Sequence, residues 1–271
     1  MQYTFYSDQE AAIAKQFMAH KFVIVPVENV DLLNHIRKKI AESAAKAIQY
    51  PLLDNTDPAN FLNNFHQNTP LEKLNDVRLQ VISDINKEPD FRLSYFNMGK
   101  TTLAALAGNE LAMQRRVNLS IQLPHDDSSL LPVHADVWSG DSPYEIVMWL
   151  PLVDCYETKS MFFTNAQFDE DTQRNFGYFK DKNSEDLFQA IKDKVEFLEV
   201  PFGSALFFSQ NVMHGNRINL VNETRWSMNC RFKSLLTPYH SKKMGEFFEP
   251  ITMRPLTCIG LDYQLPERFH E

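Results

Sequence analysis

The sequence predicts a mainly β protein, a double-sheet jelly roll backed by a helical layer. Three observations point there. Beyond about residue 112 the chain is a series of short apolar or alternating runs separated by turn residues. Two of those runs carry one polar and one apolar face, as strands between a core and either solvent or an internal cavity do. The first ~112 residues instead repeat apolar side chains at helical spacing and read as a layer that packs on something else.

The elements follow in order. Ser7-Asp8-Gln9-Glu10 is a capping box, so a helix of about three turns should begin there. Phe22–Pro26 reads as a short strand. Leu32, Leu33, Ile36, Ile40 and Ala44 lie on one face of a helix from about Asp31 to Ile48. Residues 50–112 mix helical patches with Asn, Pro and Asp loops. Arg116, Asn118, Ser120 and Gln122 then alternate with Val117, Leu119 and Ile121, a period of two. Glu145–Val153 is a continuous apolar run suited to a buried strand, and Lys159–Thr164 a shorter one. Asn183–Lys192 looks helical; the wider segment Gln167–Lys192 reads equally as a lid or as a surface loop with one helix. Val195–Val200 and Ser204–Phe208 are expected to form a hairpin across Pro201-Phe202-Gly203. In Thr224–Lys233 the residues Arg225, Ser227, Asn229 and Arg231 face one way, and Trp226, Met228, Cys230 and Phe232 the other. The whole is read as one domain: a helical support layer (1–112), a jelly-roll core (113–240) and a C-terminal extension (241–271).

Composition narrows the function classes. A chain of 271 residues with 44% apolar and 12% aromatic content can bury a sizeable core. A net charge of −8 argues against nucleic acid or anionic lipid as the main partner, and the basic pairs Arg115-Arg116 and Lys242-Lys243 read as solvated edges. Three widely spaced cysteines (Cys155, Cys230, Cys258) fit buried or half-buried thiols rather than a disulfide framework or a cysteine-rich zinc site. The polar N-terminal stretch lacks the apolar core of a signal peptide, and no run approaches the length of a membrane span, so a cytoplasmic setting is expected.

The chemistry-bearing residues lie in two distant segments. LLPVHADVWSG contains His134-Ala135-Asp136, and FFSQNVMHGNRINLVNETRWS contains His214. Two imidazoles and a carboxylate can hold a non-heme Fe(II) on one face and leave positions open for a cosubstrate and O2. If His134 and Asp136 share a strand, their spacing of two places both side chains on one face. A second such spacing, His125-Asp126-Asp127, is followed by Ser128-Ser129 and reads as a surface loop; His20, His35, His66, His240 and His270 show no pairing and read as surface or capping residues. Arg225 and Ser227 follow His214 closely, and a planar guanidinium with a nearby hydroxyl suits the far carboxylate of 2-oxoglutarate. Gln122 is a further candidate for contact with the cosubstrate; Trp149 and Trp138 read first as packing residues, though either could flank the cosubstrate. Asn118, Asn229 and Arg231 are candidates to hold substrate or else surface polar residues. Asn216 is a candidate to brace a ligand.

The segments LPVHADVWSG, EIVMWLPLVD and MHGNRINLVNETRWSMNCRFK resemble the phytanoyl-CoA-dioxygenase-like branch of the Fe(II)/2-oxoglutarate-dependent oxygenases. The resemblance spans roughly residues 115–235 by motif and the N-terminal layer by layout. More narrowly, the chain resembles the 2-oxoglutarate oxygenases of some bacterial carbohydrate-biosynthesis clusters. The resemblance implies a cupin-like double-stranded β-helix, His134, Asp136 and His214 as iron ligands, Arg225 as the 2-oxoglutarate anchor, and O2 as oxidant. Ser227 matches the Arg-x-Ser arrangement of related oxygenases, although this branch does not always carry the serine. Related halogenases replace the carboxylate ligand with a small residue, so Asp136 implies hydroxylation or a similar oxidation. A sugar or nucleotide-sugar would suit the polar faces, while Tyr144 and Phe162-Phe163 could equally cap an apolar substrate. Two other classes stay open: a cupin-like metalloenzyme without 2-oxoglutarate, and a non-catalytic jelly roll that binds carbohydrate.

Overall fold

The computed structural model describes residues 5–267; His270 and the outermost ends of the two flanking segments lie outside them. The chain begins with α1 (Asp8–His20), whose Ser7–Glu10 capping box is formed on both sides. It continues through β1 (Phe22–Pro26), α2 (Val30–Ala47), α3 (Pro58–Asn63), α4 (Leu74–Lys87), α5 (Phe91–Asn97) and α6 (Lys100–Ala107). The strands β2 (Leu111–Gln114), β3 (Asn118–Gln122), β4 (Glu145–Pro151) and β5 (Phe162–Thr164) follow. Next come α7 (Ala166–Arg174), α8 (Ser184–Ile191), β6 (Val195–Phe197), β7 (Ser204–Ser209), β8 (His214–Gly215), β9 (Arg225–Ser234), β10 (Phe248–Pro250) and α9 (Pro255–Asp262).

The strands form two antiparallel sheets. The larger has the order β1-β7-β4-β9-β2-β10, with β3 also on β9. β2 and β3 lie end to end along one edge of β9: Met113 faces Phe232, and Asn118 faces Asn229. The smaller sheet has the order β6-β5-β8.

β9 shows how the sequence selects this arrangement. Trp226, Met228, Cys230 and Phe232 are fully buried and join Leu33 and Ile40 of α2 and Val81 of α4 in the main core. Burying side chains of this size contributes about 1.5–3 kcal/mol each, and a slip of one residue would turn all of them to the other face. The alternation therefore fixes the register. The Trp226 indole N–H also donates to the Leu62 carbonyl at 3.0 Å, and its ring meets Phe65 edge-on. The helical layer thus packs on one face of the large sheet. The opposite face packs on the small sheet through Val147, Trp149, Leu206 and Phe208 on one side and Phe163, Leu198 and Val200 on the other.

Four expectations need correction. β6 and β7 are not a hairpin: β6 pairs with β5, whereas β7 pairs with β1 and β4, so the Pro201–Gly203 turn carries the chain from one sheet to the other. Period-two patterning marks a strand but not its partner. The run predicted from Lys159 begins as a strand only at Phe162; Lys159 closes a 3-10 turn and is drawn fully inside by Glu223 and Asn63. Arg116 is exposed in the bend before β3 rather than part of that strand. The segment 167–192 contains two helices, not one. Cys155 and Cys230 are buried, Cys258 is half-buried, and all three are free.

Candidate metal centre

His134 and Asp136 do not share a strand. His134 forms an isolated antiparallel bridge with His214, each amide donating to the other's carbonyl at 2.9 Å. Asp136 opens a 3-10 turn, Asp136–Ser139, which swings its carboxylate back over the two imidazoles. The spacing of two works here through a bridge residue followed by a turn, not through strand alternation. The His134 and His214 ring centroids are 4.5 Å apart, and the Asp136 oxygens lie 3.6 Å from His134 Nε2 and 4.0 Å from His214 Nε2. Among the described residues this is the one cluster of three metal-type side chains whose ligand atoms all lie within 4.8 Å of one another.

Both imidazoles are held in the tautomer a metal needs. His134 Nδ1 lies 2.7 Å from the Pro132 carbonyl, and His214 Nδ1 lies 3.0 Å from that of Val212. A carbonyl only accepts, so each Nδ1 donates its proton and each Nε2 presents a lone pair to the shared space. Burial and the neighbouring His134 push the His214 pKa down to about 4, so its imidazole is neutral at ordinary pH. Burial acts the same way on His134, but the Asp136 carboxylate beside its Nε2 and the Pro132 carbonyl at its Nδ1 favour the protonated ring and raise its pKa. Burial would raise the pKa of Asp136; His134, His214 and Arg231 together hold it down at about 2. The donor set fits a divalent cation.

His214 is fixed on several sides. Phe163 stacks on its ring at 5.3 Å and Phe208 meets it edge-on at 4.9 Å. Gly215, next to it on β8, runs so close to the 131–132 backbone that an added Cβ would lie 2.8 Å from the Leu131 carbonyl oxygen and 2.8 Å from the Phe162 ring. Asn216 bonds both Leu131 and Ser129 and so clasps the approach to His134. From α7, Asp169 accepts from the Met213 amide at 2.7 Å, while Gln173 accepts from the Trp138 indole at 3.1 Å and donates to the Asn211 carbonyl at 2.6 Å. One helix therefore ties together the segment before His214 and the turn after Asp136. Neither Asp169 nor Gln173 was singled out by sequence, because only the fold brings α7 to these segments.

The cluster sits on a cavity of about 260 Å3 between the two sheets. Arg225, Trp149, Asn118, Asn229 and Arg231 line it, as does Ser120, which was read only as part of a polar face. Gln122 and Ser227 are fully buried beside it on the same strands without forming its wall. The amide of Asn118 donates to Asn229 at 3.2 Å. Trp138 stands apart, exposed and tilted against the Phe176 ring at 4.7 Å. In the second His-x-Asp spacing, His125 is exposed, while Asp126 is buried and accepts from Ser128 and Ser129, shaping its own loop. A larger groove of about 450 Å3 runs between α2 and α4, but Lys39 and Glu88 along it pair with each other, and it holds no metal-type cluster.

Arg225 is the most unusual group in the cavity. It is 2% exposed, its Nη2 donates to Ser120 at 3.3 Å, and its Nε and Nη1 have no partner among the described residues. Burial pulls its pKa down to about 10. The Ser227 hydroxyl and the Gln122 carbonyl oxygen are likewise buried without a partner. An uncompensated buried cation costs several kcal/mol, and an incoming carboxylate would supply the missing counter-charge and take up unused N–H donors.

No protein-family model matches the chain, and neither does any curated protein sequence. Solved structures show a shared fold. The apo form of the non-heme monooxygenase ThoJ aligns with a TM-score of 0.52 at 13% identity, over 87% of this chain and 82% of that one. Its nickel complex gives 0.50 at 14% identity over the same shares. EvdMO1 gives 0.54 at 13% identity, over 84% of this chain and 50% of its own. The fold of this chain is therefore one that non-heme monooxygenases use. Among the described residues no helix is long and apolar enough to cross a membrane.

Proposed function

We propose that this protein is a non-heme Fe(II)/2-oxoglutarate-dependent dioxygenase. In this reading it hydroxylates, or otherwise oxidises, a small polar molecule such as a sugar or nucleotide-sugar in carbohydrate biosynthesis. The observation that carries the reading is Arg225, a buried cation without a carboxylate, in the same cavity as the His134–Asp136–His214 cluster. A metal site alone would not need it. The two facing antiparallel sheets are read as a double-stranded β-helix, and the chain as one oxygenase domain.

In this reading His134 Nε2, His214 Nε2 and one Asp136 oxygen hold the iron on one face. Arg225 receives the far carboxylate of 2-oxoglutarate through one side of its planar fork, and the buried Ser227 hydroxyl beside it, without a partner among the described residues, is placed to join that anchor after a small adjustment. When bound, iron and 2-oxoglutarate together supply O2-dependent oxidation, with the cosubstrate decarboxylated to succinate. The protein orients and excludes water. Trp149 and Phe208 wall the cavity with apolar surface, which strengthens the attraction between Arg225 and its carboxylate. Asn118 and Asn229 offer amide groups to a hydroxylated substrate. The site contains no acid–base pair, and none is required.

Anaerobic titration with Fe(II) and 2-oxoglutarate tests this directly. A visible charge-transfer band should appear only with both present, vanish in His134→Ala and weaken in Arg225→Ala. Metal binding with no response to 2-oxoglutarate would favour a cupin-like metalloenzyme, and no metal binding at all would leave a binding domain.

A further inference from the structure

Arg231 lines the cavity, yet its guanidinium is already engaged. Nη1 donates to Asp141 Oδ2 at 2.7 Å and Nη2 to Asp136 Oδ1 at 3.3 Å. Asp141 is itself almost wholly buried and is held from its other side by Lys242, which arrives from the C-terminal segment. His240 and Ser241 of that segment bond the carbonyl of Gly140, fixing the loop that carries Asp141. Asp136 Oδ2, which faces His214, receives no hydrogen bond among the described residues.

We propose that Arg231 is a positioning residue that holds Asp136 by Oδ1, so that the carboxylate meets the metal in a fixed orientation through its other oxygen. This rests on the metal-centre reading above. A planar guanidinium suits the task because its two nitrogens lie in a rigid fork. One prong is anchored on buried Asp141 and the other aims at Asp136, so the position of one carboxylate is set relative to the other. A metal-bound carboxylate held by one oxygen occupies one coordination position rather than two, which preserves the open face a chelating cosubstrate needs. The charge of Arg231 is offset by Asp141, so it orients Asp136 without adding much net repulsion toward a cation. Both terminal nitrogens already bond carboxylates of the protein, so Arg231 is less available than Arg225 to an anionic ligand.

The test uses Co(II) as a spectroscopic probe on the full chain, comparing the unaltered protein with Arg231→Gln and Arg231→Lys. Replacement leaves Asp141 paired with Lys242 but takes a neighbouring cation from buried Glu145, whose Oε2 lies 4.0 Å from Arg231 Nη1, so some loss of stability is expected in Arg231→Gln and less in Arg231→Lys. Arg231→Gln should weaken Co(II) binding by about 10- to 100-fold and change the visible ligand-field spectrum. Arg231→Lys, which keeps the charge but not the fork, should fall between. Thermal melting without metal separates this from loss of fold, and if Arg231→Gln does not fold, the lysine variant carries the test alone. Affinity and spectrum identical to the unaltered protein would overturn the role of Arg231 and leave the metal centre standing. Failure of the unaltered protein to bind Co(II) would overturn the metal centre itself, and this role with it.

Discussion

Arg225 concentrates the energetic tension of the site. Its burial without a counter-charge weakens the ligand-free protein, and a carboxylate ligand should repay it. Arg225→Met should therefore melt at the same temperature as the unaltered protein or higher when no ligand is present. The unaltered protein with metal should be stabilised by about 2.7 kcal/mol when 2-oxoglutarate is at a hundred times its Kd, and the variant should lose that gain. Thermal melting with and without the cosubstrate reads both. His214 gives a pH dependence. Its folded-state pKa of about 4 lies below the ordinary 6.5, so the unfolded chain takes up the proton first. Stability of the metal-free protein should fall as pH drops from 6.5 to 4 and then level off, by about 3 kcal/mol from this group. The raised pKa of His134 acts above that range: its contribution is complete below pH 6.5 and is lost as pH rises further. Urea denaturation at several pH values, compared with His214→Phe, should show a flatter profile in the variant.

At the scale of elements, α7 is a brace between the two ligand-bearing segments. Asp169→Ala leaves the Met213 amide without its acceptor in a buried setting. That should cost about 1–3 kcal/mol in urea denaturation and weaken metal binding as well, because the adjacent residue is His214. The sequence already announced many of the elements on which this rests. β9 was legible residue by residue because one face meets an apolar core and the other a polar cavity, so chemistry alternates with geometry. The Ser7 capping box and the apolar stripe of α2 were legible for the same reason, each being a local pattern with a local cause. Pairing was not local. Nothing in Val195–Val200 or Ser204–Phe208 says that they belong to different sheets. The ion-pair chain from Asp136 through Arg231 and Asp141 to Lys242 joins four places in the sequence that no spacing rule connects. The structure does bring His134, Asp136 and His214 together, although the backbone that assembles them differs from the one expected.

Across the whole molecule, the large sheet draws strands from both ends of the chain. β1 covers the outer edge of β7, and β10 covers that of β2. The helical layer shares one core with the sheet, and Trp226 of β9 is bonded to the backbone of the residues just before α3 ends. The strand-rich region should therefore not fold without its flanks. A chain starting at residue 27 lacks β1 and leaves a row of β7 amides and carbonyls unpaired, a template for association. It should appear as aggregate in size-exclusion chromatography under conditions where the full chain does not.

The reciprocal bridge between His134 and His214 has one more consequence. These two residues face each other by register alone, so a slip of one position would set Val133 or Ala135 opposite His214 and turn the His134 imidazole to the other face. A nearly correct fold would then have no site. Under the proposed metal-centre reading, competence to bind an ion becomes a form of proofreading, granted only to molecules whose two distant segments have met in the right frame.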